Sequence, residues 1–141
     1  MIETLPNAHA GRDYLVELDA PEFTSICPMT GGPDFGELTI RYVPDAKLFE
    51  LKSLRDYLTG FRDRRILQEE VVNEVLEQLV ADGAPRFVEV EGVFNARGGM
   101  TTRVVASAGA VAGSVAGTAG AARPETRTPA ASEGPESWIS D

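Results

Sequence analysis

Apolar and polar residues alternate early in the chain. From Arg12 to Asp19, Tyr14, Val16 and Leu18 fall on one face and Asp13, Leu15 and Glu17 on the other, the period of a half-buried strand. Pro21 predicts its end. Phe23 to Ile26 reads as a short extended stretch leading into Cys27-Pro28, and a residue before proline is held to extended geometry. Glu37 to Val43 alternates again, with Leu38, Ile40 and Tyr42 together, before a turn at Pro44-Asp45. The apolar residues then change period. Positions 51, 54, 58 and 61 have helical spacing. A second helix is predicted over 67–81, with Val72, Val75, Leu76, Leu79 and Val80 on its apolar face. Gly83 is expected to cap it and Pro85 to block its continuation. Phe87 to Phe94 alternates as a strand, Arg97-Gly98-Gly99 makes a turn, and Met100 to Val105 forms a last strand. Residues 1–12 are polar and expected to be irregular. The order β-β, α-α, β-β, with antiparallel hairpins at each end, is an α+β pattern.

Composition changes after that. Positions 106–122 hold only Ala, Gly, Ser, Val and Thr, and 123–141 are rich in Pro, Glu, Ser and Thr. The expected organisation is a folded domain over 1–105 and a disordered tail over 106–141. A folded unit of roughly 100 residues has a small core, and such chains often gain burial by self-association. A net charge of −9 offers no basic patch for nucleic acid. No apolar run reaches membrane-spanning length, and the first residues lack the basic start and apolar core of a secretory leader. The single cysteine cannot form an internal disulfide, so the expected setting is cytoplasmic, with a reduced thiol.

Cys27 is that thiol. A lone cysteine is most often a small buried hydrophobe. This one stands at a strand end, before the loop Met29-Thr30-Gly31-Gly32-Pro33, with Asp34 seven residues on. A thiolate is a strong nucleophile when its pKa is lowered. Asp34 alone would be ordinary turn chemistry. Lys52, Arg55 and Arg62 share roughly one face of the first helix. Lys52 and Ser53 lie near its N-terminus, where free amides favour anions, so this is a candidate phosphate site as well as an ordinary solvated face. Glu69 and Glu70 sit in the first turn of the second helix, where the dipole alone favours them.

Together these fragments resemble one family. Phe23-Thr24-Ser25-Ile26-Cys27-Pro28-Met29-Thr30-Gly31-Gly32-Pro33-Asp34-Phe35 is similar to the nucleophile loop of the queuosine-pathway nitrile reductases, and Glu50-Leu51-Lys52-Ser53-Leu54-Arg55-Asp56-Tyr57 is similar to their second signature. Phe61-Arg62 and Arg97-Gly98-Gly99 also match, so the resemblance spans about residues 13–102. Gly32 stands where the family usually has Gln, and Gln68 where it usually has His. The resemblance implies the tunnelling fold, an antiparallel sheet with two helices that closes into a barrel by oligomerisation. It further implies pentameric rings stacked as decamers, with active sites between subunits.

The implied reaction is reduction of the nitrile of 7-cyano-7-deazaguanine to the aminomethyl compound, with NADPH as hydride source and no metal. Cys27 would form a covalent thioimide and Asp34 would supply a proton. Phe49, Glu50, Leu51, Gln68 and Glu69 are implied in substrate binding, and Lys52, Ser53 and Arg55 in NADPH binding. Two rivals share the fold: an amidinotransferase adding ammonia to the same nitrile in tRNA, and a purine-binding protein without catalysis.

Overall fold

The structure, a computed structural model, describes residues 1–109. The alternating segments become a four-stranded antiparallel sheet in the order β2-β3-β5-β6, from β2 (Val16–Ile26), β3 (Pro33–Val43), β5 (Phe87–Arg97) and β6 (Met100–Gly109). A small second sheet pairs β1 (Thr4–Pro6) with β4 (Lys47–Phe49). Two helices, α1 (Leu51–Thr59) and α2 (Gln68–Gly83), lie between the hairpins in sequence. The expected α+β class is what is found.

Register explains the two faces of the sheet. Leu18 pairs with Ile40 and Ile40 with Val90, and these residues pack with Val71, Val75 and Leu79 of α2 and Leu54 of α1. One residue along, Glu17 pairs with Arg41 and Arg41 with Glu89, which places charge on the opposite face. Alternation with period two therefore separates an apolar side under the helices from a charged side. There Arg41 is fully buried, held by Glu89 and Glu91, with Glu17 at 3.5 Å from its Nε. Arg103 of β6 completes the cluster on Glu91 at 2.6 Å.

Four expectations need correction. Pro21 does not end the strand: β2 runs through it, and a register shift between Ala20 and Phe23 absorbs the missing donor as a bulge. Gly83 does not end the second helix in the left-handed region. It stays in α2 because a Cβ there would lie 2.3 Å from the Phe49 ring, and Ala84 takes the left-handed conformation instead, with φ 44°. Residues 1–12 are not irregular: Ile2 is buried, β1 pairs with β4, and Asn7 is held by bonds to Asp45 and Tyr14. Finally, β6 continues past Val105 to Gly109, because Ala106 and Ala108 face the core and their backbones pair with Val90 and Val88. The remainder of the expected tail lies outside the described residues.

Candidate active site

The β2–β3 hairpin carries Cys27 and Asp34. Its register sets Ser25 opposite Asp34 and Ile26 opposite Pro33, so Cys27 follows directly on the paired residues. The loop between is closed by two backbone bonds: Cys27 N–H donates to the Gly32 carbonyl at 2.9 Å, and Gly31 N–H to the Cys27 carbonyl at 2.8 Å. Gly31 has φ 76°, which glycine adopts without steric cost. Around the sulfur, the Thr30 hydroxyl and then the backbone amides of Thr30 and Met29 act as hydrogen-bond donors. They hold the Cys27 thiol below its ordinary value against slight desolvation and the Asp34 charge. The cysteine is partly exposed, not the buried hydrophobe of the ordinary reading.

Asp34 is almost buried and is ion-paired with Arg97, whose Nη1 donates to Oδ1 at 2.9 Å. Arg97 also donates to the Pro33 carbonyl and to Thr30 Oγ1. In the sequence Arg97 stands out as part of a turn and of a stretch that matches the family, without a role at the site. The Gly98-Gly99 pair behind it, both at positive φ, is what turns the β5–β6 hairpin there.

The start of α2 is tied to the same place. Ile26 N–H donates to the Arg64 carbonyl at 2.9 Å, and Ile66 N–H to the Ile26 carbonyl at 3.0 Å. Those bonds bring Gln68 and Glu69 beside the residue before Cys27. Gln68 is half-buried and Glu69 exposed, with a carboxylate able to accept two hydrogen bonds at once.

The other implied substrate residues lie elsewhere. Phe49 is buried against the Tyr42 ring and against Gly83, at the opposite end of α2 from Gln68. At 1.5 Å per residue, the 16-residue α2 separates the two groups by about 24 Å. Within one chain, then, Cys27 and Asp34 share one hairpin and the Ile26–Ile66 bond ties the start of α2, with Gln68 and Glu69, to its base, while Phe49 lies at the other end of α2 with Glu50 and Leu51 following it. The Phe49 side chain anchors the start of α1, leaving Leu51 exposed there.

The free amides expected at the start of α1 are also corrected. The Glu50 carboxylate caps them, accepting from Lys52 N–H at 3.0 Å and Ser53 N–H at 2.8 Å, and these bonds hold its pKa below the usual range. Lys52 pairs with Asp56 at 3.1 Å, and Ser53 Oγ accepts from Glu3 N–H. Arg55 and Arg62 instead line a cleft of about 420 Å³ between α1 and β2, with Leu51 and Thr24 also among its lining residues. Neither arginine carries an ion pair among the described residues. Cys27 does not line this cleft. It lies three residues beyond Thr24, roughly 10 Å along an extended strand.

A thiol under hydrogen-bond donors, a carboxylate on the adjoining strand and a cleft bearing two guanidinium groups that make no ion pair among the described residues are the equipment of a cysteine-nucleophile enzyme that takes an anionic co-substrate. The sequence comparisons narrow that class. Residues 33–112 match the model of the QueF-like protein family, and the chain belongs to that family. It is 48% identical to the NADPH-dependent 7-cyano-7-deazaguanine reductase of Syntrophus aciditrophicus, over 74% of this chain and 75% of that one. It is 49% identical to the protein of the same name from Thioalkalivibrio sulfidiphilus, over 74% and 81%. Among solved structures, an archaeosine synthase QueF-Like in its apo form superposes with a TM-score of 0.65 at 29% identity, covering 69% of this chain and 95% of that one. The expected tunnelling fold agrees with this likeness.

Proposed function

We propose that this chain reduces the nitrile of 7-cyano-7-deazaguanine to the 7-aminomethyl compound, with NADPH as reductant, within queuosine biosynthesis. The observation that carries the reading is the convergence of the Cys27 thiol, the Asp34 carboxylate and the start of α2 on one loop.

The first step balances without an outside reagent. The Cys27 sulfur attacks the nitrile carbon, a carbon–sulfur bond forms, and one carbon–nitrogen π bond breaks. The electron pair moves to nitrogen. Asp34, a carboxylate in its pair with Arg97, takes the thiol proton and delivers it to that nitrogen, leaving a thioimide on Cys27. Donors already placed at the sulfur need little reorganisation as the thiolate forms. Glu69 and Gln68 hold the base edge beside Cys27. When bound, NADPH supplies the hydrides, two for the four-electron change. Its anionic groups fit the guanidiniums of Arg55 and Arg62, with Lys52 and Ser53 on the adjoining face.

Phe49, Glu50 and Leu51 lie too far from Cys27 in the same chain to meet the same base. Our reading is that a second copy brings its Glu50–Leu51 corner to Cys27, in rings of five that stack as decamers. Among the described residues no further strand joins the outer edges of β2 and β6, apart from the Ile26 bridge to Arg65, and these edges are suited to joining copies. The reaction is placed in the cytoplasm, where a lone thiol stays reduced. Among the described residues no helix is long and apolar enough to cross a membrane.

The deciding experiment mixes the chain with 7-cyano-7-deazaguanine and NADPH. Loss of NADPH absorbance and a Cys27 adduct by intact mass are expected, and Cys27→Ala abolishes both. Ammonia incorporation without NADPH oxidation would replace this reading by the amidine-forming one, and tight base binding without an adduct would replace it by the binder.

A further inference from the structure

Arg97 makes more contacts at the site than a turn residue needs. From the end of β5 its side chain crosses to the β2–β3 hairpin. Nη1 donates to Asp34 Oδ1 at 2.9 Å and to the Pro33 carbonyl at 3.0 Å, and Nη2 donates to Thr30 Oγ1 at 3.3 Å. Thr30 Oγ1 also accepts from Gly32 N–H at 3.2 Å. A hydroxyl has two acceptor sites and one proton. Both acceptor sites are filled, so the proton is what Thr30 has left to offer, and the Thr30 hydroxyl is the largest influence lowering the Cys27 thiol.

We propose that Arg97 is a positioning residue: one guanidinium fixes the Asp34 carboxylate and, through Thr30, aims a hydroxyl proton at Cys27, so that proton carrier and nucleophile are set as one frame. The proposal rests on the reading that Cys27 and Asp34 act together on the nitrile. A planar fork can serve two acceptors at once, which a lysine ammonium does less well. Asp34 is almost buried, and a buried carboxylate without a partner is costly. Residue 32 leaves room for the fork: a Cβ there would stand 3.3 Å from Arg97 Nη2. The charged groups facing the loop are Asp34 from β3, Arg97 from the end of β5, and Arg65 from the segment ahead of α2. The Arg65 guanidinium is 3.5 Å from where a Cβ of Gly31 would be.

The test reads two rates on the full chain: alkylation of Cys27 by iodoacetamide against pH, and formation of the Cys27 adduct with 7-cyano-7-deazaguanine. Arg97→Gln is expected to keep the circular dichroism spectrum and raise the alkylation midpoint. It slows adduct formation about 100-fold while base affinity changes less than about threefold. Arg97→Lys, able to meet one partner well, recovers part of both. In a Thr30→Val background, Arg97→Gln no longer moves the alkylation midpoint, because the shared contact is already gone.

Alkylation and adduct rates unchanged in Arg97→Gln overturn the proposal. So does an equal midpoint shift with and without Thr30. Should Arg97→Gln not fold, Arg97→Lys decides: parental rates in both arms refute the frame, and intermediate rates support it. A parent chain that is alkylated but forms no adduct sinks the nitrile reading alone, since the alkylation arm still tests the Arg97–Thr30 link.

Discussion

Gly83 and Ala84 show how one atom moves a helix end. The sequence pattern assigns Gly83 to the cap, because glycine is the usual left-handed residue there. The structure uses its missing side chain differently, to seat the Phe49 ring. The cap then falls to Ala84, which adopts φ 44° despite its Cβ. Opposite effects are therefore expected at neighbouring positions. Gly83→Ala overpacks the Phe49 contact and destabilises by about 1–3 kcal/mol, whereas Ala84→Gly relieves strain and stabilises by roughly 0.5–1 kcal/mol. Urea unfolding of the two variants checks this, and equal shifts of the same sign would refute it. At this scale the candidate site was more legible than the packing. Cys27 and Asp34 could be picked out because loop, proline and spacing are written in adjacent residues. The contact between Phe49 and Gly83 joins positions far apart in sequence, and no local pattern reports it.

The strands were legible wherever one side is apolar and the other charged, as in β3 and β5. They were missed where pairing alone decides. β1 and β4 are three residues each, too short for a period, and Ala106–Gly109 carries too little hydrophobic contrast to mark a strand. The charged side of the sheet holds the element-scale consequence. Burial pushes the Glu91 carboxyl upward, but hydrogen bonds from Arg103 and Arg41 outweigh it, and the net pKa lies below the ordinary 4.5. A carboxyl lowered in the folded state gives stability that is present above its unfolded value and lost as pH falls through the folded one. The urea midpoint is accordingly expected to drop as pH falls below 4.5. Glu50 and Asp82 are lowered too and add to that drop, so the informative comparison is with Glu91→Gln. That variant is less stable at neutral pH, since Arg41 loses a partner while fully buried, and its midpoint falls less steeply in acid. Parallel curves for the two proteins would mean that Glu91 carries none of the acid sensitivity.

The whole molecule raises a problem that the single chain does not solve. Residues implied in holding one small base sit at both ends of α2, and only one end has the thiol. If copies meet end to end, each complete site needs Cys27 from one chain and the Glu50–Leu51 corner from another. This makes activity a property of the assembly and gives a test that no single substitution gives. Cys27→Ala lacks one half of the site. Leu51→Asp, at an exposed position, spoils the other half without touching the thiol. Each variant alone is expected to be inactive. When equal amounts are unfolded and refolded together, roughly a quarter of the interfaces join two intact halves, so about a quarter of parental activity returns. Light scattering on the parent should show a multiple of 15.1 kDa. A chain that is monomeric and fully active, or mixed assemblies that stay inactive although each variant assembles, would place the whole site within one copy. The separation between its halves, set by the length of α2, would then have to be closed by a rearrangement of α1 against α2.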